Sequence, residues 1–204
     1  MDALLLPIGH DLGALYGDDG TTRRQQVRVG IDVAELTDAE FTVWLLAHGI
    51  DDRDRPTQAT ILRSAERFGL EISAVSGIVE RLLDDRLLVS LDPESAAAVE
   101  FAERHQLIPL LAGLGPDAEQ PGFCSIGLLG QPVVQVSAPV YDVWTWTHLT
   151  PHLWAGCHDA AEVARTAGVT NADETDPRQV LSGMLRSVHG LLCLRAAFLD
   201  RRTT

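Results

Sequence analysis

The chain has 204 residues, is 46% hydrophobic and 22% charged, and carries a formal net charge of -13. Those values describe an ordinary globular protein long enough for one large domain or two small ones. No apolar run reaches the ~18 residues needed to cross a bilayer, and the apolar start MDALLLPIGHD lacks the basic n-region of a signal peptide, so the expectation is a cytoplasmic protein with no membrane partner.

From the N-terminus, a polar, Gly-containing stretch, GDDGTTRRQQ, leads into RVGIDV (28–33). The latter is short, β-branched and bounded by turn residues, which predicts strand with Gly30 in a turn or bulge. LTDAEFTVWLLAHG (36–49) reads as a helix. Thr37 or Asp38 is its N-cap, Glu40 sits near the third helical position, and Gly49 closes it. Phe41, Trp44, Leu45 and His48 fall on one helical face. Two further helices are predicted over TQATILRSAERFG (57–69) and SAVSGIVERLLDD (73–85), and LLVSL (87–91) reads as a closing strand. The run 96–112 is expected to be a linker, partly helical, between a first module at 1–95 and a second at 96–204.

The second half repeats the first. Laying residues 30–48 against 130–148 without gaps gives five identities in 19 pairs: Gly30/Gly130, Val33/Val133, Val43/Val143, Trp44/Trp144 and His48/His148. Upstream, LLPIGHDLG (5–13) answers LIPLLAGLG (107–115); downstream, VSGIV (75–79) answers LSGML (181–185). Three matching blocks in one order indicate two tandem units of about 100 residues. The second unit then has strand at GQPVVQV (130–136), a first helix with Tyr141, Trp144, Thr145 and His148 on the matching face, and helices at HDAAEVARTAG (158–168) and PRQVLSGMLRSVHG (177–190). A closing strand falls at LLCLRAAFL (191–199). The fold class expected is α+β, each module a short hairpin, three helices and a closing strand. The Trp of each first helix should be a core residue, with the paired histidines as satisfied groups at the helix end. Both third helices carry Ser-Gly in their interior, Ser76-Gly77 and Ser182-Gly183. Glycine there costs about 1 kcal/mol against alanine. Its recurrence points to something close to the backbone, either a packed element or a partner.

Catalytic signatures are missing. The sequence has no phosphate-cradling GxxxxGK[ST], no GxGxxG after a strand, no GxSxG and no HExxH, so a non-catalytic protein without cofactor is expected. His148, His152, Cys157 and His158 are of zinc-binding type, but Pro151 disturbs their helical spacing, and no metal is assigned. The acidic runs DDRDR (51–55) and ADETD (172–176) read as solvated loops. The three cysteines, Cys124, Cys157 and Cys193, are odd in number and widely spaced, which fits buried reduced thiols.

Charge is uneven. All sixteen basic residues are arginine. Residues 1–102 carry 9 Arg against 19 acids, and residues 103–204 carry 7 against 10. Such a surface disfavours phosphate backbones and tolerates basic partners.

The order strand, strand, three helices, strand resembles the winged-helix superfamily in tandem. RRQQVRVG, LTDAEFTVWLLAHG and VSGIVERLLDDRLLV also resemble RiPP recognition elements, small peptide-binding modules like the peptide chaperone of pyrroloquinoline quinone synthesis. This resemblance implies leader-peptide binding by strand addition between a sheet edge and the third helix. Carried over, the groove involves Val27, Arg28 and Val29 with Ser76, Gly77, Val79 and Leu83 in the first unit. In the second it involves Val133, Val134, Gln135 and Val136 with Leu181, Gly183, Met184 and Leu185. The function expected is an adaptor for a protein or peptide, with a homodimer also open. The alternative is a DNA-binding transcriptional regulator that reads the major groove with the third helix of the second unit, through Arg178, Arg186 and His189.

Overall fold

A computed structural model describes residues 3–18, 20, 23–51 and 55–202. The residues Asp52, Arg53 and Asp54 of the first acidic run, and parts of the polar stretch before RVGIDV, lie outside the described residues. The protein is a mixed α+β chain, with four small sheets among the described residues. It divides into two compact units, one of residues 1–91 with 199–204, the other of residues 92–198.

The first unit opens with β1 (Leu4–Pro7), which pairs antiparallel with β5 (Leu88–Leu91), Leu4 opposite Leu91. Between them in the sequence comes a separate three-stranded antiparallel sheet in the order β2 (His10–Tyr16), β3 (Arg23–Val29), β4 (Asp32–Leu36). The β3–β4 turn is made at Gly30, whose φ of 61° lies in the left-handed region that glycine enters freely. Three helices follow: α1 (Asp38–Leu46), α2 (Gln58–Arg67) and α3 (Ile72–Asp84). Thr37 and Glu40 form a reciprocal capping box at the start of α1, and Thr57 and Thr60 do the same at α2. These caps satisfy N–H groups that the helix itself cannot. Alternation sets which strand residues are buried: Val27 and Val29 of β3 face inward and are buried against the helices, with Trp44, Ile61, Val75, Val79 and Leu82 in the same core.

The second unit repeats this order with additions. Helix α4 (Ala97–Arg104) leads into β6 (His105–Pro109), so the run 96–112 is not one linker helix. The helix ends at Arg104, because HQLIP turns extended and pairs with β10 (Ala197–Arg201). The sheet is β7 (Ala112–Pro116), β8 (Phe123–Leu128), β9 (Gln131–Ser137), in that order and antiparallel. Helix α5 (Ala138–Trp146) ends in a 3-10 turn at Thr147–Leu149. Helix α6 (Leu153–Thr166), the short α7 (Ala172–Thr175) and α8 (Pro177–Cys193) complete the set.

Three expectations are corrected here. Helix α6 begins five residues before the expected start at 158, because the His152 ring accepts the Ala155 N–H and caps the turn just after Pro151. Helix α8 runs through Gly190 to Cys193, because the buried Leu191 and Leu192 continue its apolar face. The closing strand therefore starts at Ala197, not at Leu191. In the second acidic run, ADET forms the helical turn α7 instead of a loop.

The two units share their helix endings. After α2, the Leu70 N–H reaches the Ala65 carbonyl (3.1 Å) past Gly69, and after α6 the Val169 N–H reaches Ala164 (3.0 Å) past Gly168. After α3, Leu87 N–H reaches Leu82 (2.8 Å), and after α8, Ala196 N–H reaches Leu191 (2.8 Å). All four are Schellman closures, which need one left-handed residue. Glycine fills that place after each second helix. Arginine fills it after each third, Arg86 at φ 58° and Arg195 at φ 54°.

The tryptophans also correspond. Trp44 and Trp144 are both buried. Each packs on an aromatic three residues before it, Phe41 stacked at 5.7 Å and Tyr141 tilted at 5.8 Å. Each donates its indole N–H to a backbone carbonyl beside the two-stranded sheet, Ile8 at 3.3 Å and Ala196 at 3.2 Å. The histidines do not correspond. His48 is buried, its ring 3.1 Å from the Trp44 carbonyl. His148 is exposed, because the chain tightens into the 3-10 turn one residue before it and swings its ring out of the helix face.

Candidate functional site

In each three-stranded sheet the middle strand is paired on both sides. In the first unit that strand is β3, so Val27, Arg28 and Val29 cannot accept an added strand, and Val27 and Val29 point into the core. Arg28 is engaged as well: its guanidinium donates to the Asp200 carboxylate (2.8 Å) and to the Gly30 carbonyl (2.9 Å). On α3, Val79 is buried, Ser76 and Leu83 are half-buried, and Gly77 is exposed. The expected first-unit groove is therefore not assembled. The sheet's free strand beside the helices is β4, one strand along, and its hairpin end is held by the chain's own residues. Asp200 accepts the Gly30 N–H (2.7 Å), and Arg201 pairs with Asp32 (2.6 Å).

In the second unit the expected strand is an edge. β9 carries Val133, Val134, Gln135 and Val136 and, among the described residues, pairs only with β8. Val133 is exposed, Val134 half-buried and Val136 buried. Leu129, at the tip of this hairpin, is 95% exposed. Where β9 runs into α5, a groove of about 270 Å³ separates Ser137, Pro139 and Val140 from Asp173, Gln179, Val180, Gly183, Arg186 and Ser187. Gly183 thus lies on the groove wall, while Leu181, Met184 and Leu185 lie behind it in the core and cannot touch a partner.

Neither interior glycine is there for packing. A Cβ built on Gly77 or on Gly183 meets no atom within 4 Å. The expectation that an element of the same module packs closely against these glycines is overturned: the space beside them is open.

The basic residues expected to read DNA do not form one face. His189 is buried in the core of α8. Arg186 is tied to Glu94 (3.4 Å), which also accepts from the buried Ser182 hydroxyl (3.0 Å). Only Arg178 of the three is exposed without an ion pair among the described residues. Glu94 was the missing term. It lies outside the third helix in sequence, so no local pattern could bring it there.

The zinc-type residues scatter. His152 caps α6, Cys157 is buried, and His158 packs edge-on against Trp154 at 5.0 Å. Among the described residues no three His, Cys, Asp or Glu side chains gather as metal ligands. Burial pushes the Cys157 thiol up to about 12. It pushes Cys124 up as well, helped by the charge of Asp142; neither is a ready thiolate. No helix is long and apolar enough to cross a membrane, among the described residues.

No family model, curated protein or solved structure matches the chain.

Proposed function

We propose that the protein is a non-catalytic adaptor, built from two winged-helix-like modules, that binds an extended peptide along β9 of the second. The observation that carries this reading is an open sheet edge lying beside an open groove. Among the described residues β9 is paired on one side only, its backbone leads to a groove walled by α8, and Gly183 keeps a side chain out of that wall. An unpaired edge offers main-chain hydrogen bonds for affinity, and the groove offers side-chain selection. Natural proteins blunt edges that must not pair, with charge or proline. β9 carries no charged residue and only Pro132, near its start.

The DNA alternative has less support. It depends on Arg178, Arg186 and His189 acting together, and the last is buried while the second is already paired.

The test is selection of peptides from a random display library against the whole chain, followed by amide exchange with the selected peptide bound. Slowed exchange at residues 131–137 is expected. A Gly183→Trp variant of unchanged circular dichroism should lose at least tenfold in affinity. Protection elsewhere, or full affinity in that variant, refutes the site.

A further inference from the structure

The crease between the first and second helices is the most chemically divided feature of the repeat. In the first unit it is lined by Leu46, Thr60 and Ser64, with two arginines, Arg63 and Arg67, and one acid, Asp51. Aligning Gly69 with Gly168 and Trp44 with Trp144 puts Trp146, Asp159 and Val163 at the positions of Leu46, Thr60 and Ser64. Those three residues line the matching cleft of the second unit, a cavity of about 360 Å³ between α5, α6 and α7. The fold makes the crease in both units, so the fold does not dictate what fills it.

The chemistry of the second cleft is specific. Its floor is apolar, made by Ala160, Ala164 and Val169. Its rim carries three carboxylates, Asp142, Asp159 and Glu174, and no basic residue lines it. Like charges around an apolar cavity are mutually unfavourable, and nothing in the lining offsets them. Partial burial, then the charge of Glu174, raises the Asp142 pKa, which is the cost appearing at one group. Trp146 stands at the rim, 62% exposed, two residues beyond its buried neighbour Trp144. An exposed indole beside carboxylates holds a cation by its face as well as by charge.

We propose that this cleft docks a basic peptide segment, an aliphatic side chain entering the apolar floor and an adjacent Arg or Lys lying between Trp146 and the three carboxylates. Charge complementarity selects the occupant. The rim is wide: Trp146, Asp159 and Val163 are all exposed. A free small amine would remain largely hydrated there, whereas small-molecule sites enclose most of their ligand. A peptide brings flanking contacts that use the open rim. None of the lining residues belongs to β9 or α8; α5 and α7 border both this cleft and the groove beside the edge, so α6 is the element that tells the two sites apart.

The test uses the whole chain and the probe acetyl-Leu-Arg-Leu-Leu-Arg-amide, with the Glu-for-Arg peptide and phenethylammonium as comparisons. Calorimetry measures affinity, and backbone amide shifts locate it. The expected result is saturable binding of the Arg peptide with shifts on α5 and α6. Affinity should fall at least tenfold in Asp142→Asn/Asp159→Asn, and likewise in Ala164→Leu, which fills the floor. Each variant is checked for an unchanged Tm or a higher one. Equal binding of the Glu peptide, affinity unchanged in those variants, shifts confined to β9, or phenethylammonium binding as tightly as the peptide would each overturn the proposal. Shifts on α5 and α6 with β9 silent would support this site while counting against the edge.

Discussion

Asp200 accepts a hydrogen bond from Arg28, 172 residues earlier in the chain, at 2.8 Å. The same carboxylate accepts the Gly30 N–H at 2.7 Å, and it is buried. One side chain from beyond the second unit therefore fixes both the middle strand and the hairpin turn of the first. Replacing it leaves the turn N–H without its acceptor and removes one acceptor from a half-buried guanidinium that still donates to the Gly30 carbonyl.

Asp200→Ala should destabilise the first unit by about 1–3 kcal/mol, the range for orphaning hydrogen-bonded polar groups. Hydrogen exchange at the amides of residues 27–30 reports it directly, and exchange in α6 should not change. Equal acceleration in both units, or none in either, would contradict the role given to Asp200.

Gly77→Ala should stabilise the protein by roughly 0.5–1 kcal/mol. The glycine is interior to α3, its Cβ position is open, and alanine is the better helix former. Gly183→Ala should add a similar amount. Urea unfolding midpoints measure both. A loss of stability at either position would mean that the backbone there is in contact with something.

Arg86 and Arg195 hold left-handed backbone at matching helix ends. That conformation costs a non-glycine residue about 1–2 kcal/mol, and glycine returns part of it through a more flexible unfolded chain. Arg86→Gly and Arg195→Gly should each raise stability by about 0.5–1 kcal/mol, seen as a higher thermal midpoint. The two gains should add, Arg86 lying in the first unit and Arg195 in the second.

Two carboxylates give opposite pH dependence. Burial raises the Glu40 pKa, but hydrogen bonds from Thr37 and the charges of Arg81 and Arg24 more than offset it, so the net shift is down. Its folded value lies below the unfolded ~4.3, so its contribution is present above that pH and is lost as pH falls through the folded value. Asp142 is raised, by partial burial first and then by Glu174. Its contribution is present below the unfolded ~3.9 and is lost as pH rises through the folded value. Glu40→Gln should therefore flatten the acid side of the stability profile. Asp142→Asn should be more stable than the parent at neutral pH and should lose that advantage in acid. Urea titrations from pH 3 to 8 separate the two.

The helices of the first unit were readable because their signals are local. Thr37 and Glu40 lie three apart, Gly49 and Gly69 close their turns, and the apolar spacing around Trp44 is helical. The equivalence of Trp44 and Trp144 was readable from the repeat alone. The strand partners were not. Whether β3 or β4 is the edge depends on β2, built from HDLGALY, whose mostly exposed residues carry no clear alternation. The expected first-unit groove failed for that reason, since β3 is the middle strand of its sheet. Glu94 reaching Arg186, and Asp200 reaching Arg28, were equally hidden: each joins residues that no window spans.

Because Leu199 onward belongs to the first unit, the order of synthesis and the order of completion differ. The ribosome makes the first module early, yet Arg28 meets its carboxylate only after the whole second module has been translated. Until then the older half lacks that acceptor, and nascent chains arrested before Asp200 should be more open to proteases at the β3–β4 turn than chains that include it.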